Sequence, residues 1–493
     1  MPESGGVSRR SLLIAAILLT GSFLTILNQT LMITAIPPIM QEMNVTANTA
    51  QWLTTVFMLV NGIMIPVTAF LIEKFTTRQL FMTAMLTFTA GTIVGGLADS
   101  FGMLIAGRVI QSAGAGIMLP LMQTVFLLIF PIEKRGTVMG FVGLTISFAP
   151  ALGPALSGWV IETFAWRYLF WLVLPLILIL ILLAWKLLNN VTELKNPKVD
   201  PASIMLSSFG FGGLLYGFTS AGNAGWLSPI TLLSLAVSVI CLYAFITRQL
   251  RMVHPMLEFR VFKLRTFTIA TAVGMIGFLG LIGMETLIPL YLQEMRGFTA
   301  FDSGLALLPG ALISGLMSPL TGYIFDRIGA RALAFTGLTI MSGATAAFLF
   351  VDAYATITFI ALLFAVRMFG FSMVMMPITT AGLNELPRKL IPHGAAMNNT
   401  MRQIAASVGT ALLVTIMTTT AMQLETGTVD RTPDIIGMNV AMGFLTALTF
   451  SGLILIFFLR PRKPMSDEEW DAEFGPTRDE TGAPVRPDTV KKK

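Results

Sequence analysis

Fourteen stretches of this chain are long and apolar enough to cross a bilayer, and no other feature restricts the fold as severely. A spanning helix needs about 20 mostly apolar residues. Inside lipid each segment must satisfy its own backbone N–H and C=O groups, which makes the spans α-helices. They run approximately over 12–36, 51–72, 79–98, 102–127, 137–161, 168–188, 203–220, 229–247, 266–292, 304–325, 332–351, 354–378, 398–422 and 439–460. Only 12% of the residues are charged and 55% are hydrophobic, whereas soluble domains carry about 25% charge. The fold class is therefore an all-α polytopic membrane protein. The N-terminal run has basic residues before an apolar core, as a secretory signal does, but it is too long for one. It reads as an uncleaved first span.

Basic residues alternate strongly between successive loops. One set of loops and termini holds 26 Lys and Arg, while the other holds only Arg167, Arg296 and Arg431. Positive loops stay inside, so both termini are expected in the cytoplasm of a bacterial plasma membrane. The formal charge of +6 reflects this topology and gives no reason to expect nucleic acid as a partner. Cys241 is the single cysteine, which excludes an internal disulfide framework. His254 and His393 are the only histidines. No nucleophile–base pair, zinc signature or phosphate loop is present, so neither enzymatic activity nor a metal or cofactor is expected.

A weak internal repeat divides the chain. AFLIEKFTTRQL near the end of span two corresponds to TGYIFDRIGARAL near the end of span ten. Two spans beyond each comes an arginine inside an apolar helix, Arg108 and Arg367. The implied organisation is a short cytoplasmic N-terminus (1–11), a six-helix bundle (12–188) and a linker (189–265) carrying two inserted spans. A second six-helix bundle (266–460) and a solvated, disordered tail (461–493) follow. Parallel repeats of this kind are a transporter architecture.

Glu285 is the one carboxylate well inside a span, in MIGFLGLIGMETLIPLYL. A charge at that depth costs several kcal/mol, roughly 3 on insertion scales. A proton is the charge such a group most readily carries, so Glu285 points to proton coupling. A purely structural Glu between helices is the competing reading. Arg108 is always charged and offers five donors, either to tune a protonation site or to pin span one. Packing is preferred for Arg367. Asn61, Gln111 and Gln123 are candidates for a central substrate cavity, since an amide facing lipid is costly. Met284 joins them because Met repacks around varied shapes.

Several motifs together give a family resemblance. Span one carries LNQTLMITAIPPIM; span four carries Arg108, Gln111, Gly114 and Gly116. Span five carries Ala149, Pro150, Gly153, Pro154 and Gly158, and the loop after span ten carries Gly322, Asp326, Arg327, Gly329 and Arg331. The chain resembles the fourteen-span drug:proton antiporters of the major facilitator superfamily over nearly its whole length. The loop after span two is a degraded copy, with Glu73 replacing the usual Asp. Asn28 stands where many relatives carry an acid, and an amide cannot carry a proton. The resemblance therefore implies that proton coupling has moved to Glu285, with Arg108 assisting and Asn28 in the cavity.

At about 1.5 Å per residue, Asn28 and Glu285 lie at nearly the same depth, so they are expected to face each other across the cavity. The resemblance also gives Gly153, Pro154 and Gly158 a gating role at a seam between the halves. Glu73, Asp326, Arg327 and Arg331 are expected to form ion pairs and helix-end contacts near the cytoplasmic face, a set that can bias conformation. The implied function is proton-coupled export of small amphipathic drugs by a monomer in the lipid bilayer, with the proton as coupling ion. The alternatives are a dedicated exporter of an endogenous lipid, peptide-like metabolite or siderophore, and a non-transporting membrane receptor or scaffold.

Overall fold

A computed structural model describes residues 8–192, 194–195, 199–424, 432–460 and 464–474. Fourteen described helices are long and apolar enough to span a membrane. In the first half they are Arg9–Leu31, Trp52–Lys74, Thr77–Gly96, Phe101–Ile129, Ile132–Thr163 and Tyr168–Leu187. Pro201–Gly222 and Pro229–Arg251 form the inserted pair. In the second half they are Arg265–Met295, Phe301–Ile328, Ala330–Phe350, Ile357–Asn384, Arg388–Leu424 and Pro433–Phe457. They are called spans one to fourteen in that order. Leu176, Ile179, Leu182, Ile240, Leu316 and Leu362 are exposed on the outside of the bundle, the surface lipid would cover.

The two halves use the same packing scheme. Span one packs on spans four, five and six; span nine packs on spans twelve, thirteen and fourteen. Span four packs on two and three, as span twelve does on ten and eleven. The halves meet where span five lies along spans ten and twelve and where span thirteen lies along spans two and four. Of the inserted pair, span seven leans on spans two and thirteen, and span eight packs on span seven. The pair thus flanks one seam between the halves.

Two local features depart from the sequence expectation. The first span stops at Leu31, and a separate short helix, Ile36–Met43, begins with Pro37 and Pro38 in its first turn. Proline tolerates that position because its missing N–H has no partner there anyway. In the tail, residues 464–474 are not free. Asp467–Phe474 is a helix whose Trp470 is buried. Arg260 Nη1 donates to the Phe474 carbonyl at 3.0 Å, and Lys389 pairs with Asp471 at 2.6 Å. One aromatic anchor and these charges dock a stretch too polar to fold alone. The rest of the expected tail lies outside the described residues.

Candidate functional site

Arg108 is fully buried on span four and holds four helices together. Its Nη1 donates to Asn28 Oδ1 on span one at 2.8 Å and to Gln111 Oε1 at 3.1 Å. Its Nε donates to the Leu53 carbonyl of span two at 3.2 Å, and its guanidinium sits 4.1 Å from the Phe57 ring centre. Gln111 Nε2 passes the network to Thr92 Oγ1 on span three at 2.9 Å. Asn28 Oδ1 and both ends of the Gln111 amide are engaged in this network, Asn28 Nδ2 is buried without a partner, and neither residue has any exposure. In this conformation they do not line open space.

Glu285 is set differently. It lies deep in the bundle yet is only half-buried, and no hydrogen bond engages it among the described residues. Its carboxylate oxygens therefore keep some accessible surface. The buried charge that acts on it through space is that of Arg367 of span twelve, with no ion pair or hydrogen bond joining the two among the described residues. Arg367 Nε donates to Thr345 Oγ1 on span eleven at 3.2 Å, while Nη1 and Nη2 have no partner. Arg402 of span thirteen is a third buried guanidinium. It hydrogen-bonds Thr379, and its Nε is unpartnered. No hydrogen bond links Asn28 to Glu285 among the described residues: Asn28 turns its oxygen to Arg108 instead of facing across a cavity.

Contacts between the halves run from the basic end of the bundle to mid-depth. Asp326, at the end of span ten, accepts from the Gly136 and Thr137 N–H groups at 2.7 and 2.8 Å and from Thr137 Oγ1 at 2.6 Å. These donors open the helix of span five, where orphan N–H groups and the helix dipole favour an anion. Arg135 Nη1 donates to Asn384 Oδ1 at 2.8 Å. Glu73 Oε1 receives Lys195 Nζ at 2.5 Å and lies 3.3 Å from His393 Nε2, joining span two, the linker and span thirteen. Deeper in, Gln123 Oε1 accepts from Asn399 Nδ2 at 2.7 Å and Ser147 meets Ser314 at 2.9 Å. The basic end is closed.

Glycines make this closure tight. A Cβ on Gly322 would lie 2.1 Å from the Gly136 carbonyl oxygen, and one on Gly140 would lie 2.5 Å from that of Ser318. The seam between the halves is thus formed by Gly136, Gly140 and Gly143. The expected seam residues sit elsewhere. Gly153 presses on Thr30 of span one, within one half, while Gly158 has open space around it and Pro154 is half-buried. Of the ion pairs and helix-end contacts expected at Asp326, Arg327 and Arg331, the helix-end contact of Asp326 forms and no ion pair does among the described residues. Asp326 spends its lone pairs on span five, Arg327 lies over Tyr323, and Arg331 is exposed with no ion pair among the described residues.

Of the remaining cavity candidates, Asn61 is half-buried beside Gly116, and Gln123 is fully buried in the cross-half bond to Asn399. Met284 has no exposure and belongs to the apolar core. Sequence reasoning passed over His393, Asn399, Arg402 and the Arg367–Glu285 relation. The signal was there: the polar run MNNTMRQ interrupts an otherwise apolar span thirteen.

The model of the Major Facilitator Superfamily matches residues 18–410. An uncharacterized transporter of this type from Bacillus subtilis (YcnB) is 54% identical over 92% of this chain and 96% of its own length. A lincomycin resistance protein (LmrB) from Listeria monocytogenes is 39% identical over 93% and 99%. In architecture, the human organic anion transporter MFSD10 superimposes with a TM-score of 0.66 at 12% identity, covering 90% of this chain and 99% of that one. The chain belongs to the Major Facilitator Superfamily, with fourteen helices able to span a membrane.

Proposed function

We propose that this protein is a proton-coupled antiporter that exports amphipathic drugs and other toxic compounds by alternating access, with Glu285 as its main protonation site. The observation that carries the proposal is a lone carboxylate deep in span nine, free of hydrogen bonds and with some accessible surface. A structural Glu would be expected to spend its oxygens on a neighbouring helix. Drug export is supported by the relative named for lincomycin resistance. The closed basic end supports a conformation in which Glu285 exchanges protons with the opposite side. With the termini in the cytoplasm of the bacterial plasma membrane, that side is the exterior. A monomer suffices, since each half contributes its own helices to the centre.

The membrane potential is worth about 2.3 kcal/mol per charge per 100 mV. One proton exchanged for a monovalent cation is electroneutral and draws on the pH gradient alone. Export of a neutral drug also uses the potential. The test is proton-gradient-driven uptake of dyes and lincosamides into inverted vesicles. Glu285→Gln should insert and bind drug but lose gradient-driven uptake; undiminished uptake would overturn the proposal.

A second reading has one specific observation in its favour. The bundle interior holds three buried guanidiniums, Arg108, Arg367 and Arg402, against one deep carboxylate, Glu285. That balance favours a neutral or anionic amphiphile over a cation, as a dedicated exporter of an endogenous lipid-like compound would carry. Competition between anionic and cationic amphiphiles in the same vesicles separates the two readings.

A further inference from the structure

Span nine has two bare patches facing buried arginines. A Cβ on Gly280 would meet Arg367 Nη2 at 2.5 Å, and one on Gly274 would lie 3.7 Å from Arg402 Nε. The Gly280 patch is five residues before Glu285, about 7.5 Å along the helix axis. Glycine there lets the far end of Arg367 lie directly on span nine, about one and a half turns from Glu285. Both terminal nitrogens of that guanidinium lack partners although the residue has no exposure. Glu285 likewise has no hydrogen-bond partner. Each group therefore holds unused bonding capacity of the kind the other supplies.

We propose that Arg367 is the displaceable counter-ion of Glu285: it takes up the charge of the carboxylate when the proton leaves, and so sets when that proton leaves. This rests on the reading of Glu285 as the coupling acid. A packing role does not account for the geometry, because a guanidinium buried with both ends unpaired is costly and an apolar side chain fills the same space without that cost. Arg108, the corresponding arginine of the first half, shows the contrast. Its Nη1 is committed to Asn28 and Gln111, leaving only Nη2 unpaired, and the partner on span one is an amide that cannot change charge. On span nine the partner can change charge, and the guanidinium is left free to follow it. Proton loss then leaves a neutral Glu–Arg pair in the apolar interior, and proton uptake separates it.

Arg367 is the charge at this depth. Of the other groups facing span nine, Arg402 lies opposite Gly274, about 16 Å toward the basic end. At that end Glu385, after span twelve, accepts from the Phe267 N–H of span nine at 3.0 Å, and span thirteen carries Arg388, Lys389 and His393 in its first turns. Span fourteen carries Asp434 in its first turn only. Span ten carries Asp302 at one end and Asp326 and Arg327 at the other. Arg260 and Lys263 lie in the turn before span nine, and Glu294 and Arg296 at its far end.

The test reads the protonation of Glu285 without requiring transport. A hydrophobic carbodiimide reacts with a protonated carboxyl, and mass spectrometry of the Glu285 peptide from full-length protein in lipid nanodiscs gives labelling against pH. Arg367→Met should carry labelling about one pH unit or more higher, the scale of an opposite charge within a few ångströms. Arg367→Lys keeps the charge and should track wild type. Gly280→Ala keeps both charged groups but displaces the flexible end of Arg367, and should move labelling in the same direction by less. Profiles of Arg367→Met and Gly280→Ala that both superimpose on wild type would overturn the proposal. If Arg367→Met does not fold, Gly280→Ala decides alone. Retained proton-driven transport in Glu285→Gln would instead remove the coupling role of Glu285 while leaving these profiles readable.

Discussion

Arg108 Nη1 and Asn28 Oδ1 are 2.8 Å apart, fully buried, and join span four to span one. The bond gives the amide at position 28 a structural duty in place of a protonation role. Asn28→Ala should leave the guanidinium short of an acceptor and cost about 1–3 kcal/mol, read as a lower melting temperature in detergent. Asn28→Asp restores a carboxylate against the same guanidinium. It should keep the melting temperature and raise the number of protons moved per drug, measured in vesicles carrying a pH-sensitive dye. An unchanged melting temperature in the Ala variant would mean that the bond contributes nothing.

At the seam, Asp326 and Gly322 should act in the same direction by different means. Asp326→Asn loses the charge at the N-terminus of span five, a loss of about 0.5–2 kcal/mol. Gly322→Ala forces two backbones apart at a 2.1 Å contact, with overpacking on the order of 1–3 kcal/mol. Both should shift the protein toward an open basic end, with Gly322→Ala shifting it more. Spin-label distances between the basic ends of spans five and ten, in a Cys241→Ala background, measure this directly. An unaltered distance distribution would show that closure rests on other contacts.

Outside the spans, Asp200 receives both Arg248 Nε and Nη2, at 2.8 and 3.1 Å, and joins span seven to span eight. The Arg248 hydrogen bonds hold the carboxyl down at about 2, below its ordinary 3.8. A folded-state value below the unfolded one stabilises above the ordinary pKa and is lost as pH falls through the folded value. The pair should therefore support the inserted spans at neutral pH and release them between about pH 4 and pH 2. Arg248 is half exposed, so the effect should stay below about 1 kcal/mol. Melting temperatures of wild type and Asp200→Asn, compared from pH 6 downward, should differ at the upper end and converge near pH 2.

Much of the architecture was readable because lipid is an unforgiving solvent. Every backbone group must be paired within its own segment, so apolar length alone marks the fourteen helices, and the alternation of basic loops gives the expected orientation. Glu285 stood out for the same reason, as a carboxylate deep in an apolar helix. Residues that meet across the fold were harder to read. Gly153 and Gly136 are both glycines on span five, yet one packs within its half and the other seals the halves together. Composition does not distinguish them.

Sequence alone determined the number of spans and the one deep carboxylate, since each follows from the cost of placing polar groups in hydrocarbon. Tertiary structure decided the partners. Arg108 and Arg367 look alike along the chain, but only packing directs the first to Asn28 and the second toward Glu285. Likewise, Asp326 caps a helix of the other half because two glycines let the backbones approach. Such pairings depend on which helix faces overlap and how closely, and that geometry is set by every contact in the bundle at once.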